Sequence, residues 1–575
     1  MCGILGGNIK NWDYHAGINK IKHRGPDAQR VRCYEDCTLA FTRLSIMDLS
    51  MAAMQPMQSE DGRIVIVFNG EIYGYRTLKR KLETKYKFKT TSDTEVILNA
   101  YLEYGDNFIE YIDGMFSIVI YDRQKHVLKL YRDRFGIKPL YYYCQDNRFA
   151  FASELKAITA ASGDEEQWKA DNTAIYDYFF YGYIPEPKSL YQNVYRLEPA
   201  CCLVYDLFEK RILKKERYWH LHVNTQASGK RNRKSVEEDI RYLIAESVRE
   251  QMIADVKVGT FLSGGVDSSI VTYESNCINA NLSAFSIGFP DIECDETPNA
   301  KIFAERYSLN HKIKYFNKSD CLEMKGLLYQ LYDEPYADLS AFPTYFLSKF
   351  AREEVTVVLT GDGGDEIFGG YNRYSRFCEL EEKHWNDNYG LERFLNRICT
   401  GKDTLSKKMR EMVQTKFTLY CRLAGQYAVP DKNEFCKLFK IANDYDPQWY
   451  FKKYYVKDIP KMTRMRYLDF KTYLPSDILT KVDRASMAVS LEARVPLLNR
   501  KLVEYVFALA EDECSSPENL KAVLKDAYRN MIPAEILDGK KKGFGIPENY
   551  FMSRAGNSNK YIDVWKKEWK GVRSL

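Results

Sequence analysis

The sequence has little of what marks several common protein classes. Its 14 cysteines contain no CxxC pair; the closest spaced are Cys33 and Cys37, apart from the adjacent Cys201 and Cys202. That spacing fits neither a zinc module nor a disulfide framework, and only 7 histidines could add ligands. No basic stretch followed by a long apolar one opens the chain, so a secretory signal is not expected. The longest apolar runs, such as Phe116–Tyr121 and Val506–Ala510, are far too short to span a bilayer. These absences lead to the expectation of a soluble, cytoplasmic protein with no membrane partner. The 84 Lys and Arg nearly balance the 79 Asp and Glu, and a net charge of +5 over 575 residues gives no reason to expect a nucleic-acid partner. Neither the GxxxxGK loop nor the dinucleotide GxGxxG occurs, and no repeat or low-complexity tract is present.

What is present is an ordinary globular composition, 45% hydrophobic and 28% charged, in a chain long enough for several domains or two large ones. Ile64–Phe68, Phe116–Tyr121, Val127–Tyr131 and Leu140–Tyr143 are β-branched or aromatic runs bounded by turn residues, which predict strands. Val96, Ile97, Ala100 and Tyr101 fall at helical spacing and predict a helix over Asp93–Tyr104. Residues 224–235 carry four basic residues and no aliphatic larger than alanine, as a solvated linker should. Ser235 with Glu238 matches a capping box ahead of the stripe Val236, Ile240, Leu243 and Val248. Beyond it, strands at Val256–Leu262, Ser283–Phe289, Ile313–Phe316 and Val355–Thr360 alternate with helices such as Asn299–Tyr307 and Phe342–Ala351, which predicts a parallel sheet. Residues 375–560 read as mostly amphipathic helix. The expected organisation is two domains, 1–222 and 236–575.

Cys2 lies directly behind the initiator methionine. Trimming of Met1 would place a thiol and a free α-amine on one residue, and that amine can act as a base near neutral pH. Around it stand His23-Arg24-Gly25-Pro26-Asp27, Arg43-Leu44-Ser45-Ile46, Phe68-Asn69-Gly70-Glu71-Ile72-Tyr73 and Ser92-Asp93-Thr94-Glu95. Taken singly, these are a turn, a strand end and a helix cap. Together they supply a nucleophile in Cys2, oxyanion donors in Asn69 and the Gly70 N–H, a carboxylate clamp in Arg43, and acceptors for an ammonium group in Asp93 and the region of Glu71. With Arg132–Tyr142 (RDRFGIKPLYY), these stretches resemble the class II, amino-terminal-nucleophile glutamine amidotransferases in order and spacing. The resemblance implies an α+β domain of αββα layers. It makes Cys2 the nucleophile and gives Arg43, Asn69, Gly70, Glu71 and Asp93 the glutamine-binding and oxyanion roles. Gly74 departs from the commoner asparagine at that position.

In the second half, Ser263-Gly264-Gly265-Val266-Asp267-Ser268-Ser269 follows an apolar strand and opens a helix, a context that suits an anion. A carboxylate there would repel phosphate unless a cation intervenes, so Asp267 predicts Mg²⁺. Thr360-Gly361-Asp362-Gly363-Gly364-Asp365-Glu366 places three carboxylates on a second glycine loop. The first loop resembles that of ATP pyrophosphatases. The whole chain resembles the glutamine-hydrolysing asparagine synthetases over about 1–375, at Leu474–Asn499 and at Lys540–Pro547, with 376–460 matching loosely.

That resemblance implies an α/β ATP-pyrophosphatase domain with added helices, and the substrates glutamine, aspartate and ATP. Leu262, Ile287, Thr360 and Gly361 would contact adenosine. Ser263, Gly265, Asp267, Ser268 and Lys542 would hold the phosphates, and Asp267 and Asp365 would bind Mg²⁺. Asp362 falls where some relatives carry a glutamate tied to the acyl-adenylate step, and here it is one methylene shorter. A homodimer is a further family expectation. Lys481, Asp483, Arg484, Glu492 and Arg494 read either as site residues or as a solvated, salt-bridged helical face. His220 and His222 read as part of an edge strand. A related enzyme amidating another carboxylate, in peptide-antibiotic or surface-polysaccharide synthesis, is the alternative. A non-enzymatic relative should have lost Cys2 or the SGGxDS loop, and a phosphoribosyl amidotransferase would lack that loop.

Overall fold

The computed structural model describes residues 2–164, 166–290, 295–324, 327–382, 415–424, 436, 440–442, 444–539 and 545. Lys542 and most of the 376–460 segment therefore lie outside the described residues.

Two six-stranded sheets, whose named strands pair antiparallel, are stacked face to face in the first half. One has the order Val194–Arg196, Tyr141–Gln145, Arg148–Ala152, Cys2–Gly7, Thr38–Arg43, Ala28–Cys33. The other runs Arg211–Arg217, Cys201–Asp206, Val127–Arg132, Asp113–Asp122, Ile64–Tyr73, Met57–Gln58. Alternate residues of both, among them Ile4, Phe41, Val65, Val67, Val119 and Leu130, fill the space between them. The helices Tyr14–Lys20 and Leu155–Ser162 pack outside the first sheet, where Leu5 and Ile158 meet in one cluster. The helix Asp93–Tyr104 lies outside the second and buries Val96, Ile97 and Ala100 against Ile66 and Phe68. The result is the expected αββα layering.

The predicted helix Asp93–Tyr104 has those limits, with Ser92 accepting from the Thr94 N–H at its start. The strand predicted as Ile64–Phe68 continues to Tyr73. Asn69, Gly70 and Glu71 are polar or small, yet they keep pairing with Ser117, Phe116 and Met115. Gly70 has φ +156°, and a Cβ there would lie 2.0 Å from the Met115 carbonyl oxygen, so the strand requires glycine at this point. Gly74 takes φ +62°, a left-handed conformation that asparagine also tolerates, which accounts for the departure at this position.

The second half holds a five-stranded parallel sheet, ordered Asn310–Tyr315, Ser283–Gly288, Val258–Phe261, Val357–Leu359, Glu492–Arg494. The chain leaves the central strand Val258–Phe261 toward one side and returns to build the other. The switch point thus falls between Val258–Phe261 and Val357–Leu359, and ligands of open α/β sheets bind at the carboxyl ends of such strands.

Three expectations are corrected. The linker helix starts at Arg233, not Ser235, because Asn232 accepts from the Lys234 and Ser235 N–H groups and so caps it earlier. Glu492 and Arg494 lie on a buried edge strand, while Lys481, Asp483 and Arg484 lie on the buried helix Leu479–Met487, so none belongs to a solvated face. His220 and His222 follow the last edge strand, which ends at Arg217.

The two halves meet through buried ion pairs. The Arg24 guanidinium, fully buried, donates to both Asp483 oxygens at 2.8 and 3.1 Å and to Glu154 at 2.8 Å. Arg484 reaches Glu154 at 2.7 Å and Asp333 at 3.3 Å. Removing Asp483 would leave the buried Arg24 with Glu154 as its one carboxylate and take a carboxylate from the buried Lys138. Asp483→Ala is therefore expected to destabilise the chain by about 3–5 kcal/mol, read by denaturant unfolding; an unchanged midpoint would contradict the interlock.

Candidate active sites

The amino-terminal strand pairs Cys2 with Arg43 and delivers both to the same end of the sheet. The Cys2 backbone N–H donates to Asn69 Oδ1 at 3.0 Å, and its Sγ lies 3.9 Å from the Leu44 carbonyl. Burial pushes the thiol up to about 11, so it is not ionised on its own at neutral pH and needs a base in contact. Because Asn69 turns its oxygen toward Cys2, its Nδ2 is left buried without a hydrogen-bond partner among the described residues. Buried donors are rarely left unmatched, and this one lies on the amide that already contacts the nucleophile.

Arg43 is buried and uses two N–H groups on its own loop, donating to the Ser50 carbonyl at 2.7 Å and to the Asp48 carbonyl. Its remaining N–H groups are the ones available to a carboxylate. Asp93, in the first turn of its helix, accepts from the Ile72 N–H at 3.0 Å, and burial lifts its carboxyl to about 6. Glu71 is raised well above the carboxylate range by burial first, then by Glu492 and Asp93. The edge strand of the parallel sheet brings Glu492 and Arg494 here, with Arg494 Nη2 3.6 Å from Glu71. Thus Cys2, Arg43, Asn69, Gly70, Glu71 and Asp93 converge, and two residues from the far half join them.

At the switch point of the parallel sheet lies a cavity of about 630 Å³. Leu262, Ser263, Gly265, Asp267, Ser268, Ile287, Thr360, Gly361, Asp362 and Asp365 all line it. Ser263 and Ser268 hydroxyls are 3.0 Å apart, and the Gly265 N–H donates to Ser263 Oγ at 3.2 Å, which folds the loop over the start of the helix Val266–Ile278. Gly264 at φ +88° allows the turn. The second loop packs directly on that helix start: a Cβ on Gly361 would come within 2.7 Å of the Ser268 nitrogen. Two glycine loops and one helix amino terminus are the features of an anion cradle.

Lys521 belongs to no recognisable sequence motif. Its buried ammonium pairs with Asp267 and lies 2.6 Å from Asp365 Oδ1. The backbone there is left-handed, φ +57°. Asp267 and Asp365 are oxygen donors of the kind a hard cation takes, and here the Lys521 ammonium stands between them, beside a loop suited to phosphate. Among the described residues no group of three His, Cys, Asp or Glu could hold a metal ion by itself. Asp362 has its carboxyl raised by burial, with Lys481 opposing. Lys481 itself donates to Asp338 at 3.0 Å and Ser340 at 2.8 Å on the cavity wall. Among the described residues no helix is long and apolar enough to cross a membrane.

Two family models match the chain: a glutamine amidotransferase domain over residues 1–219 and asparagine synthase over residues 239–568. The glutamine-hydrolyzing asparagine synthetase 1 of Bacillus subtilis is 32% identical over 548 residues, 93% of this chain and 84% of the relative. A putative glutamine-hydrolyzing asparagine synthetase 2 of Methanocaldococcus jannaschii is 39% identical over 398 residues, 64% of this chain and 76% of the relative. A putative glutamine-hydrolyzing asparagine synthetase of Mycobacterium tuberculosis is 31% identical over 563 residues, 93% and 84% of the two chains.

Proposed function

The chain belongs to the asparagine synthase family, with a glutamine amidotransferase domain ahead of the synthase domain, and from this we propose that it makes asparagine from aspartate and ATP with ammonia cut from glutamine. Residues 1–222 supply the ammonia and residues 236–575 use it.

The observation that carries the first half-reaction is the Asn69 amide. Its oxygen holds the Cys2 nitrogen at 3.0 Å and its Nδ2 is an unmatched buried donor. With Met1 removed, that nitrogen is an amine placed to take the thiol proton. Sγ attacks the side-chain carbonyl carbon of glutamine, and Asn69 Nδ2 with the Gly70 N–H hold the oxyanion. The amide nitrogen leaves as ammonia with the proton, and water hydrolyses the thioester to glutamate. Arg43 holds the α-carboxylate with its remaining N–H groups, and Glu71 and Asp93 receive the α-ammonium. Asn69→Ala is expected to lower the glutaminase kcat by about 10²- to 10³-fold, measured as glutamate release. A kcat within threefold of the parent would remove the oxyanion role.

In the cavity, Ser263, Gly265 and Ser268 hold the pyrophosphate and Leu262, Ile287, Thr360 and Gly361 the adenosine. Asp267 and Asp365 are the residues that would hold Mg²⁺, which when bound offsets phosphate charge. Lys521 holds these two carboxylates apart from one another's charge and faces the leaving pyrophosphate. The aspartate side-chain carboxylate attacks the α-phosphorus, giving β-aspartyl-AMP, and ammonia then displaces AMP. Asp362 and Lys481 line the acceptor side and position the carboxylate. Incubation with ATP, glutamine and aspartate should give asparagine, AMP, pyrophosphate and glutamate in equal amounts. Glutamate release without aspartate-dependent AMP would contradict the acceptor.

A further inference from the structure

Arg494 is anchored on three sides and open on the fourth. Its Nε donates to Glu492 at 2.7 Å, and its Nη1 donates to the Gln251 and Ile253 carbonyls at 2.6 and 2.7 Å. Its backbone carbonyl accepts from the Thr360 N–H at 2.9 Å, so the residue is fixed to the strand end that carries the nucleotide loop. Nη2 is buried with no hydrogen-bond partner among the described residues and lies 3.6 Å from Glu71 Oε1. A side chain needed only for packing would not require a guanidinium held so that one nitrogen faces a carboxylate of the other half.

We propose that Arg494 is a positioning residue of the glutamine site: its fixed positive charge, 3.6 Å from Glu71, favours the Glu71 carboxylate and aims it for the α-ammonium of glutamine. The proposal rests on the assignment of Glu71 to glutamine binding made above. It means that the amino-terminal half does not complete its own site, and that the strand following the nucleotide loop supplies the missing charge.

The charges around Glu71 fix the sign of the pH effect. Glu492 and Arg494 face it from the edge strand, Asp93 from its helix, Tyr73 from its own strand, and Cys2 from the amino-terminal strand. Lys138 faces Glu492 behind them. Burial, Glu492 and Asp93 favour the protonated Glu71, and Arg494 opposes them. Without Arg494, Glu71 takes up a proton at a higher pH, so glutamine binding weakens most at low pH and recovers as pH rises.

The test is steady-state glutamate release by the full chain between about pH 6 and 8. Arg494→Gln should raise KM for glutamine about tenfold or more at neutral pH, increasingly toward pH 6, with kcat within about threefold. Arg494→Lys keeps the charge but loses the anchoring bonds of Nε and Nη1, so its KM should rise less than that of Arg494→Gln and without steepening toward pH 6. Glu71→Gln should raise KM by a similar factor without the pH dependence. A normal KM and pH profile in Arg494→Gln, beside an impaired Glu71→Gln, overturns the role of Arg494 alone. A normal KM in Glu71→Gln overturns the underlying assignment of Glu71. Should Arg494→Gln fail to fold, the lysine variant decides: a KM that climbs toward pH 6 with the charge still present overturns the proposal, and a pH-independent KM supports it.

Discussion

Cys2→Ala is expected to reduce glutamine-dependent asparagine synthesis by at least about 10³-fold while leaving synthesis from added ammonium within about twofold. In this account the thiol is the group that bonds to the substrate carbonyl, so its loss should remove the glutamine-dependent route. Alanine deletes one buried atom, whose polar contact among the described residues is the 3.9 Å approach to the Leu44 carbonyl. The backbone bond from residue 2 to Asn69 does not depend on the side chain. The fold and the cavity at the parallel sheet should therefore be untouched. Measuring asparagine with glutamine and with ammonium chloride in parallel checks both halves. Loss of both activities would argue against two separable sites, and retention of the glutamine-dependent rate would exclude Cys2 as nucleophile.

Asp267→Asn should give the opposite pattern: glutaminase activity within about twofold of the parent, and aspartate-dependent AMP formation lowered by about 10²-fold or more. Asparagine has the same shape, so the first turn of the helix Val266–Ile278 and the close approach of Gly361 should persist. What is lost is the charge opposite Asp365, with the ammonium of Lys521 between them. Pyrophosphate release is the sensitive readout, because charge builds on the leaving group as the α–β bond breaks. AMP formation at the parental rate would exclude Asp267 from the phosphate and metal chemistry.

The parts of this structure that were legible in the sequence are those whose meaning is local. The helix at Asp93 was visible because Ser92 caps it and its apolar residues repeat at helical spacing. The loops at Ser263 and Thr360 were visible because glycines after an apolar strand have few other uses. Glu492-Ala493-Arg494 was opaque for the opposite reason. A three-residue strand with charges at both ends looks solvated until its neighbours are known, and only the pairing to Val357–Leu359 buries it. Lys521 gives no local signal at all; its value comes from two carboxylates 254 and 156 positions away along the chain, in loops that the sheet brings together. At the linker helix the Ser235–Glu238 pattern points three residues too late, because the Asn232 side chain accepts from the Lys234 and Ser235 N–H groups and caps the helix earlier.

The most direct test of the two-step account labels the side-chain carboxylate oxygens of aspartate with ¹⁸O and follows the label through turnover with ATP and glutamine. Attack of that carboxylate on the α-phosphorus, followed by displacement with ammonia, places one labelled oxygen in each AMP released and none in pyrophosphate. Label appearing in inorganic phosphate, with ADP as the nucleotide product, would mean that the γ-phosphorus is attacked and would contradict the acyl-adenylate mechanism.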